Sequence, residues 1–258
     1  MEGRQRQEAI VPIVSTFAIG DIHGLAGALA HLLGQIRPLV QPGDTVVFLG
    51  DYIDRGPDSK GCIDQIIEFA GQVPVPVVSL LGNHEQWLLR TRRDYSDHSW
   101  LLGMEGLTTI TSYSRSAAEE LQAHATAAGI TLYTEKVALP YELFFDLVPP
   151  SHLEFFDTLA TYHRSVDAFC SHGGCNPAAG SLDAQSEHDL VWGSRAFLTS
   201  FAGPDFVVYG HWGNAEPGGA GTWSPARAPF SLGIDTSAHG IVTAVRLPGL
   251  DVFQAAEG

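Results

Sequence analysis

The sequence predicts an α/β fold whose chemically active residues gather where strands end. Three observations carry this. Five short apolar runs each finish in a Gly-flanked cluster of Asp, His, Asn or Arg. Phe17-Ala18-Ile19 runs into Gly20-Asp21-Ile22-His23-Gly24, and residues 45–49 run into Gly50-Asp51-Tyr52-Ile53-Asp54-Arg55-Gly56. Residues 77–81 lead to Gly82-Asn83-His84-Glu85, 168–171 to His172-Gly173-Gly174, and 206–209 to Gly210-His211. Secondly, the apolar runs read as buried strands and the Gly clusters as sharp exits from them. Thirdly, strand, cluster and helix follow one another three times in the first ninety residues, the signature of βαβ units. Ligands in such folds bind beyond the carboxyl ends of the strands.

Each element has a local reason. Residues 1–14 read as a short tail, and 15–258 as one domain, since α/β domains commonly reach about 250 residues. After Gly24, the spacing of Leu25, Leu29, Leu32, Leu33 and Ile36 predicts a helix that ends before Pro38. Pro42-Gly43-Asp44 is a turn signal before the strand at 45–49. Ile63, Ile66, Ile67 and Phe69 mark a helix over 60–70, and a third helix follows the strand at 77–81, over about 84–93. The rhythm breaks at about 94–150, read as a helical insertion near the site that shapes access, with residues 115–128 as its clearest helix. A helix at 151–160 precedes the strand at 168–171. Later strands are expected at 206–209, 231–234 and 241–247, with 216–221 a flexible loop.

Composition narrows the function classes. Of 258 residues, 45% are apolar and 17% charged, which suits a globular enzyme rather than a disordered chain. The net charge of −15 argues against broad electrostatic binding of nucleic acid. It would also repel a phosphorylated substrate unless bound metals and a few arginines override it. Three cysteines without regular spacing, Cys62, Cys170 and Cys175, argue against a disulfide framework and a thiolate zinc site. Cys170 reads as core filler and Cys175 as a neighbour of the site. No stretch is long and apolar enough to span a membrane, and residues 1–8 hold no apolar signal core, so a cytoplasmic location is expected.

Taken singly, each cluster is ambiguous: a cap, a turn, a satisfied core histidine. Five strand ends that all carry donors make chance a strained account. The donors are Asp21, His23, Asp51, Asn83, His172 and His211. Oxygen and imidazole ligands without thiolate favour Mn²⁺, Fe or Zn²⁺ and disfavour Ca²⁺. Six ligands are too many for one catalytic ion that keeps open positions. They suit two ions sharing one carboxylate, an arrangement that clamps attacking and leaving oxygens in phosphoryl transfer.

These blocks, in this order, resemble the signature motifs of the phosphoprotein phosphatase (serine/threonine phosphatase) family of the metallophosphoesterases. The likeness is to the compact bacterial and bacteriophage lambda-type branch, over about residues 17–247. Trp100-Leu101-Leu102, Trp192-Gly193-Ser194-Arg195 and Ile234-Asp235-Thr236 add to it. The resemblance implies two mixed β-sheets sandwiched between helices, with a dinuclear metal site at the strand ends. It implies that Asp21 and His23 hold one ion, that Asn83, His172 and His211 hold the other, and that Asp51 bridges them, with Mn²⁺ the first expectation. Arg55 and Arg195 would clamp the phosphate, His84 would protonate the leaving oxygen, and Asp54 would pair with His84. Glu85 is expected to be structural, capping the helix behind it.

The implied activity is hydrolysis of phosphoserine or phosphothreonine, with phosphotyrosine as a further ester, by direct attack of a metal-bridging hydroxide. The alternatives are a dinucleoside-polyphosphate hydrolase of the same family and a non-catalytic phospho-ligand domain. A phosphorylated protein or small phosphoester is the expected partner, with neither nucleic acid nor membrane. Two departures from the family pattern, Gly103-Met104-Glu105-Gly106 and Trp212-Gly213, fall near the substrate entrance. Trp212 is expected to pack rather than to stack on substrate.

Overall fold

The computed structural model describes residues 14–213, 215–218 and 223–257. Residues 1–13 of the expected tail and 219–221 of the expected loop lie outside the described residues. Twelve strands occur among the described residues: β1 (Thr16–Ile19), β2 (Thr45–Phe48), β3 (Val77–Ser79), β4 (Tyr162–Arg164), β5 (Phe169–Ser171), β6 (Val207–Tyr209), β7 (Glu216–Pro217), β8 (Trp223–Ser224), β9 (Ala226–Ala228), β10 (Ser231–Gly233), β11 (Ile241–Leu247) and β12 (Asp251–Ala256). The first large sheet runs β12-β11-β1-β2-β3 and the second β4-β5-β6-β10-β9. Both are mixed. In the first, parallel β1-β2-β3 run out to the edge at β3, with antiparallel β11 and β12 on the β1 side; in the second, parallel β5-β6-β10 lie between antiparallel β4 and β9.

Period-two alternation explains the layers. Phe17 and Ile19 of β1, with Val46 and Phe48 of β2, point to a helix-covered core, while Ala18 and Val47 point the other way. There they meet Cys170 of β5, Val208 of β6 and Leu232 of β10, so the two sheets share an apolar interface. The far side of the second sheet sends Phe169, Val207 and Tyr209 into a third cluster with Phe197 and Cys175. Cys170 is core filler, as expected. Cys175 packs in the outer cluster, in neither group of side chains suited to a metal.

Helices α1 (Ala26–Ile36), α2 (Ser59–Gln72) and α3 (Asn83–Arg93) follow β1, β2 and β3. The region of the expected insertion carries α4 (Ser99–Gly103), α5 (Gly106–Tyr113), α6 (Arg115–Ala128), α7 (Thr131–Thr134) and α8 (Glu142–Phe145). Trp100, Ile110, Leu121, Tyr141 and Phe144 from this stretch are fully buried and merge with the core over the first sheet. Then come α9 (Pro150–Asp157), α10 (Glu187–Trp192) and α11 (Arg195–Ser200). The helix expected at 151–160 stops earlier, because Ala160 leaves it to bridge Leu80 beside β3. β4 and β12 carry no sequence signal strong enough to predict them: both are edge strands with exposed polar positions and weak alternation.

Candidate active site

The five strand exits converge on one buried pocket. Asp21 leaves β1 and its carboxylate accepts the backbone N–H of His211 at 3.0 and 3.1 Å. Gly210 must be glycine here, because a Cβ would overlap Asp21 Oδ1. His23 donates Nδ1–H to the Ile53 carbonyl at 2.9 Å, which turns Nε2 inward to 3.3 Å from Asp51 Oδ2. His172 is oriented likewise: Nδ1 lies 2.9 Å from the Leu49 carbonyl and Nε2 3.3 Å from Asp51 Oδ1. The two carboxylate oxygens of Asp51 therefore face two different imidazoles. Asn83, at the start of α3, presents Oδ1 to His172 Nε2 at 3.0 Å and to His211 Nδ1 at 2.9 Å.

His23, Asp51 and His84 form one group of closely spaced donor atoms, and Asp51, His172 and His211 form another, with Asp51 in both. The backbone under these donors is strained. His23, Asp51, Asp54, Arg55 and His211 all have φ between +46° and +69°, a region L-residues rarely occupy. At Asp51 what holds it is Glu85, fully buried, whose carboxylate accepts the N–H groups of Asp51 and Tyr52 at 2.9 Å, Gly82 at 3.2 Å and Ile53 at 3.3 Å. Glu85 caps α3 as the sequence suggested. It also pegs the loop that carries the shared aspartate.

Beside the cradle lies a buried imidazole–carboxylate pair. His84 Nδ1 is 2.7 Å from Asp54 Oδ2, and its Nε2 faces Arg55 Nη2 at 3.3 Å and Asp51 Oδ2 at 3.9 Å. A guanidinium only donates, so Nε2 accepts from Arg55 and Nδ1–H donates to Asp54. Asp54 also accepts from Trp100 Nε1 and from the Thr109 hydroxyl.

Burial and neighbouring charges pull the site's titrating groups in opposite directions. Burial, then the neighbouring Asp235, pushes the Asp21 carboxyl well above its ordinary range. Burial acts the same way on Asp51, but His172 and His84 outweigh it and hold that carboxyl well below. His172 is in turn raised to about 10 against the effect of burial, chiefly by Asp51. His211 falls to about 4 through burial and the His172 charge. Among the described residues one buried ring nitrogen, His23 Nε2, makes no hydrogen bond, with Asp51 Oδ2 at 3.3 Å. An orphaned imidazole nitrogen amid buried carboxylates fits a divalent ion, and the O/N donor set fits Mn²⁺, Fe or Zn²⁺.

Nine of the ten expected site residues thus meet in one place. Arg195 does not join them by contact. It opens α11 exposed, with neither a hydrogen bond nor an ion pair among the described residues. The turn before it is close to the site, with Gly193 packed on Gly173 next to His172. Trp212 packs as expected: its Nε1–H donates to the Gly173 carbonyl at 3.0 Å and its ring lies edge-on to His211. Sequence reasoning missed Thr109, for which a lone threonine in a helical stretch offers no signal. It also undervalued Glu85, whose signal was its place three residues after Gly82.

Residues 15–224 match the calcineurin-like phosphoesterase family. A serine/threonine-protein phosphatase 1 of Salmonella typhimurium is 36% identical over 106 residues, covering 41% of this chain and 46% of that protein. A symmetrical bis(5'-nucleosyl)-tetraphosphatase of Pectobacterium carotovorum is 37% identical over 76 residues, covering 30% of this chain and 25% of that protein. The chain thus matches about half or less of the length of these relatives. A cold-active protein-tyrosine phosphatase of a psychrophilic Shewanella shares the fold, with a TM-score of 0.57 at 15% identity, over 95% of this chain and 78% of that one. With a shared aspartate between two donor groups and a family match across most of its length, the chain belongs to the calcineurin-like phosphoesterases.

Proposed function

We propose that the protein is a phosphomonoesterase acting on phosphoserine and phosphothreonine, with phosphotyrosine as a further ester. One observation supports it above others: His84 Nε2 looks into the cradle while Nδ1 is held at 2.7 Å by Asp54. That is the posture of a proton donor to a poor leaving group.

Asp21 and His23 would hold one divalent ion, Asn83, His172 and His211 the other, and Asp51 both. Once bound, two such ions supply Lewis acidity to the phosphoryl oxygens and lower the pKa of water. The chain's own groups do the rest. Arg55, exposed and with one side-chain hydrogen bond among the described residues, to His84, is placed to grip phosphate oxygens, and its planar fork suits them. Releasing His84 Nε2 from Arg55 leaves that nitrogen to carry a proton to the departing serine or threonine oxygen. Asp54 stays beneath, stabilising the imidazolium and keeping Nδ1 protonated. Arg195 is proposed as a second clamp that must swing inward, consistent with its free side chain.

The test is His84→Asn with Mn²⁺ present. The kcat on a phosphoserine peptide should fall by about 10²- to 10⁴-fold, the usual share of general acid catalysis. Metal content should not change. An unaltered kcat on that peptide would refute the role. The second reading is a dinucleoside-polyphosphate hydrolase, favoured by the stretch of likeness to the tetraphosphatase. Wild-type turnover of diadenosine tetraphosphate with no turnover of phosphopeptide would select it.

A further inference from the structure

We propose that Thr109 is a positioning residue for the acid pair: its hydroxyl fixes the orientation in which the Asp54 carboxylate meets His84. The proposal rests on the phosphomonoesterase reading of His84. Asp54 is fully buried, and its carboxylate is held from two directions. Thr109 Oγ1 lies 2.5 Å from Oδ1, and His84 Nδ1 lies 2.7 Å from Oδ2. The indole N–H of Trp100 spans both oxygens, at 3.0 Å from Oδ2 and 3.2 Å from Oδ1. Trp100 therefore engages both oxygens nearly equally. The short bond from Thr109, to the oxygen that His84 does not use, sets how the carboxylate is turned.

The Thr109 hydroxyl has no freedom left. A hydroxyl owns one proton and two acceptor positions. Its proton goes to Asp54 Oδ1. It accepts the Asp54 backbone N–H at 2.9 Å and is 3.0 Å from the Ser59 hydroxyl, which supplies a second proton. All three capacities are used in a buried place, so rotating the hydroxyl would leave a polar group unmet at a cost of about 1–3 kcal/mol. Together with the Ser59 hydroxyl, which shares that N–H at 3.0 Å, the same side chain ties down the backbone of Asp54, which sits at φ +69°. With Oδ1 and the backbone both pinned, Oδ2 is left for His84. That keeps the ring in the tautomer whose Nε2 points at the cradle. A third residue that orients the base partner has the logic of a catalytic triad.

A threonine that merely fills space, or only solvates a buried carboxylate, would cost stability and slow every substrate alike. A positioning threonine slows the substrates whose leaving group needs a proton. Thr109→Val and Thr109→Ser in the full chain with Mn²⁺, each assayed on a phosphoserine peptide and on p-nitrophenyl phosphate, separate the two. Thr109→Val should lower kcat on the peptide about 10- to 100-fold, the range for outer-sphere partners, and leave KM within about threefold. Its kcat on p-nitrophenyl phosphate, a leaving group that departs without a proton, should stay within about threefold of wild type. Thr109→Ser keeps the hydroxyl and should restore the peptide rate.

A second measurement does not depend on turnover. Nitrogen-15 NMR of the metal-free protein should find His84 wholly in the Nδ1–H form in wild type and in mixed tautomers in Thr109→Val. Equal losses on both substrates, or an unchanged tautomer in a folded variant, would overturn the proposal. Should Thr109→Val not fold, Thr109→Ala is judged by the same paired assay and spectrum. If wild type hydrolyses no phosphoserine at all, the functional reading fails, and the spectrum alone then decides the positioning role.

Discussion

The donor cradle and the helical layer at 94–150 reach the same buried pocket by opposite routes. The cradle is assembled from five separate passes of the chain, each giving one or two side chains at a strand exit, on backbone that repeatedly adopts positive φ. The helical layer is continuous in sequence. Most of its apolar residues fill core, and only Trp100 and Thr109 reach Asp54. The cradle tolerates strain because Glu85 and the imidazole–carbonyl bonds over-determine it. The layer is unstrained apart from Glu105 at φ +60°, and its stability comes from burial. One region therefore stores function at the expense of backbone comfort, and the other supplies the packing against which that strain is held.

The sharpest way to break this contrast is to remove the shared donor. Asp51→Asn should lose bound metal by elemental analysis and lose activity by more than the ~100-fold that removing an outer-sphere partner costs. Retained metal with near-normal activity would mean the two donor groups do not depend on Asp51. On the other side of the comparison, Leu121→Ala opens a cavity in the fully buried face of α6. It should cost about 2–5 kcal/mol in denaturant unfolding while leaving metal stoichiometry and kcat intact.

Glu85→Gln probes the junction of strain and support. The amide replaces one accepting oxygen with a donor facing backbone N–H groups, so about 1–3 kcal/mol should be lost. Unlike Leu121→Ala, it should weaken metal affinity as well, read by titration with Mn²⁺. Equal behaviour of the two variants would erase the distinction between cradle and layer.

The smallest effect is a pH dependence at the edge of the helical layer. His152 donates Nε2–H to Asp64 at 2.9 Å and accepts the Tyr113 hydroxyl at Nδ1. Burial pushes its pKa below the ordinary histidine value, and Asp64 only partly restores it. The unfolded chain then binds the proton more readily than the folded one. Stabilisation is therefore present above about pH 6.5 and is lost as pH falls through the folded value. The melting temperature should decline from pH 7 to pH 5, and His152→Gln should flatten that decline. Asp64 itself, held low by Lys60 and His152 against burial, keeps its charge over this range.

Legibility in the sequence followed how local each signal was. The strands at 45–49, 77–81 and 241–247 and the helices over 60–70 and 115–128 were readable because period two and period 3.6 are short-range patterns. Each observed element falls within about two residues of its expected span. The convergence of the six expected donor side chains was legible for the same reason, since each is set just after a strand end beside glycine. The edge strands β4 and β12 were not, since pairing with a neighbour rather than their own pattern makes them strands. Arg195 was named from its motif alone, and its side chain stands free of the cluster.

By itself the sequence determined which side chains could bind metal and at which strand exits they stand, because both depend on a few neighbouring residues. Only the tertiary structure decided who meets whom. It set the two oxygens of Asp51 against His23 and His172, brought Asn83 between histidines 89 and 128 residues away, and dropped Thr109 onto Asp54 from a helix 55 residues on. Those meetings follow from sheet register and helix packing, which no local pattern records.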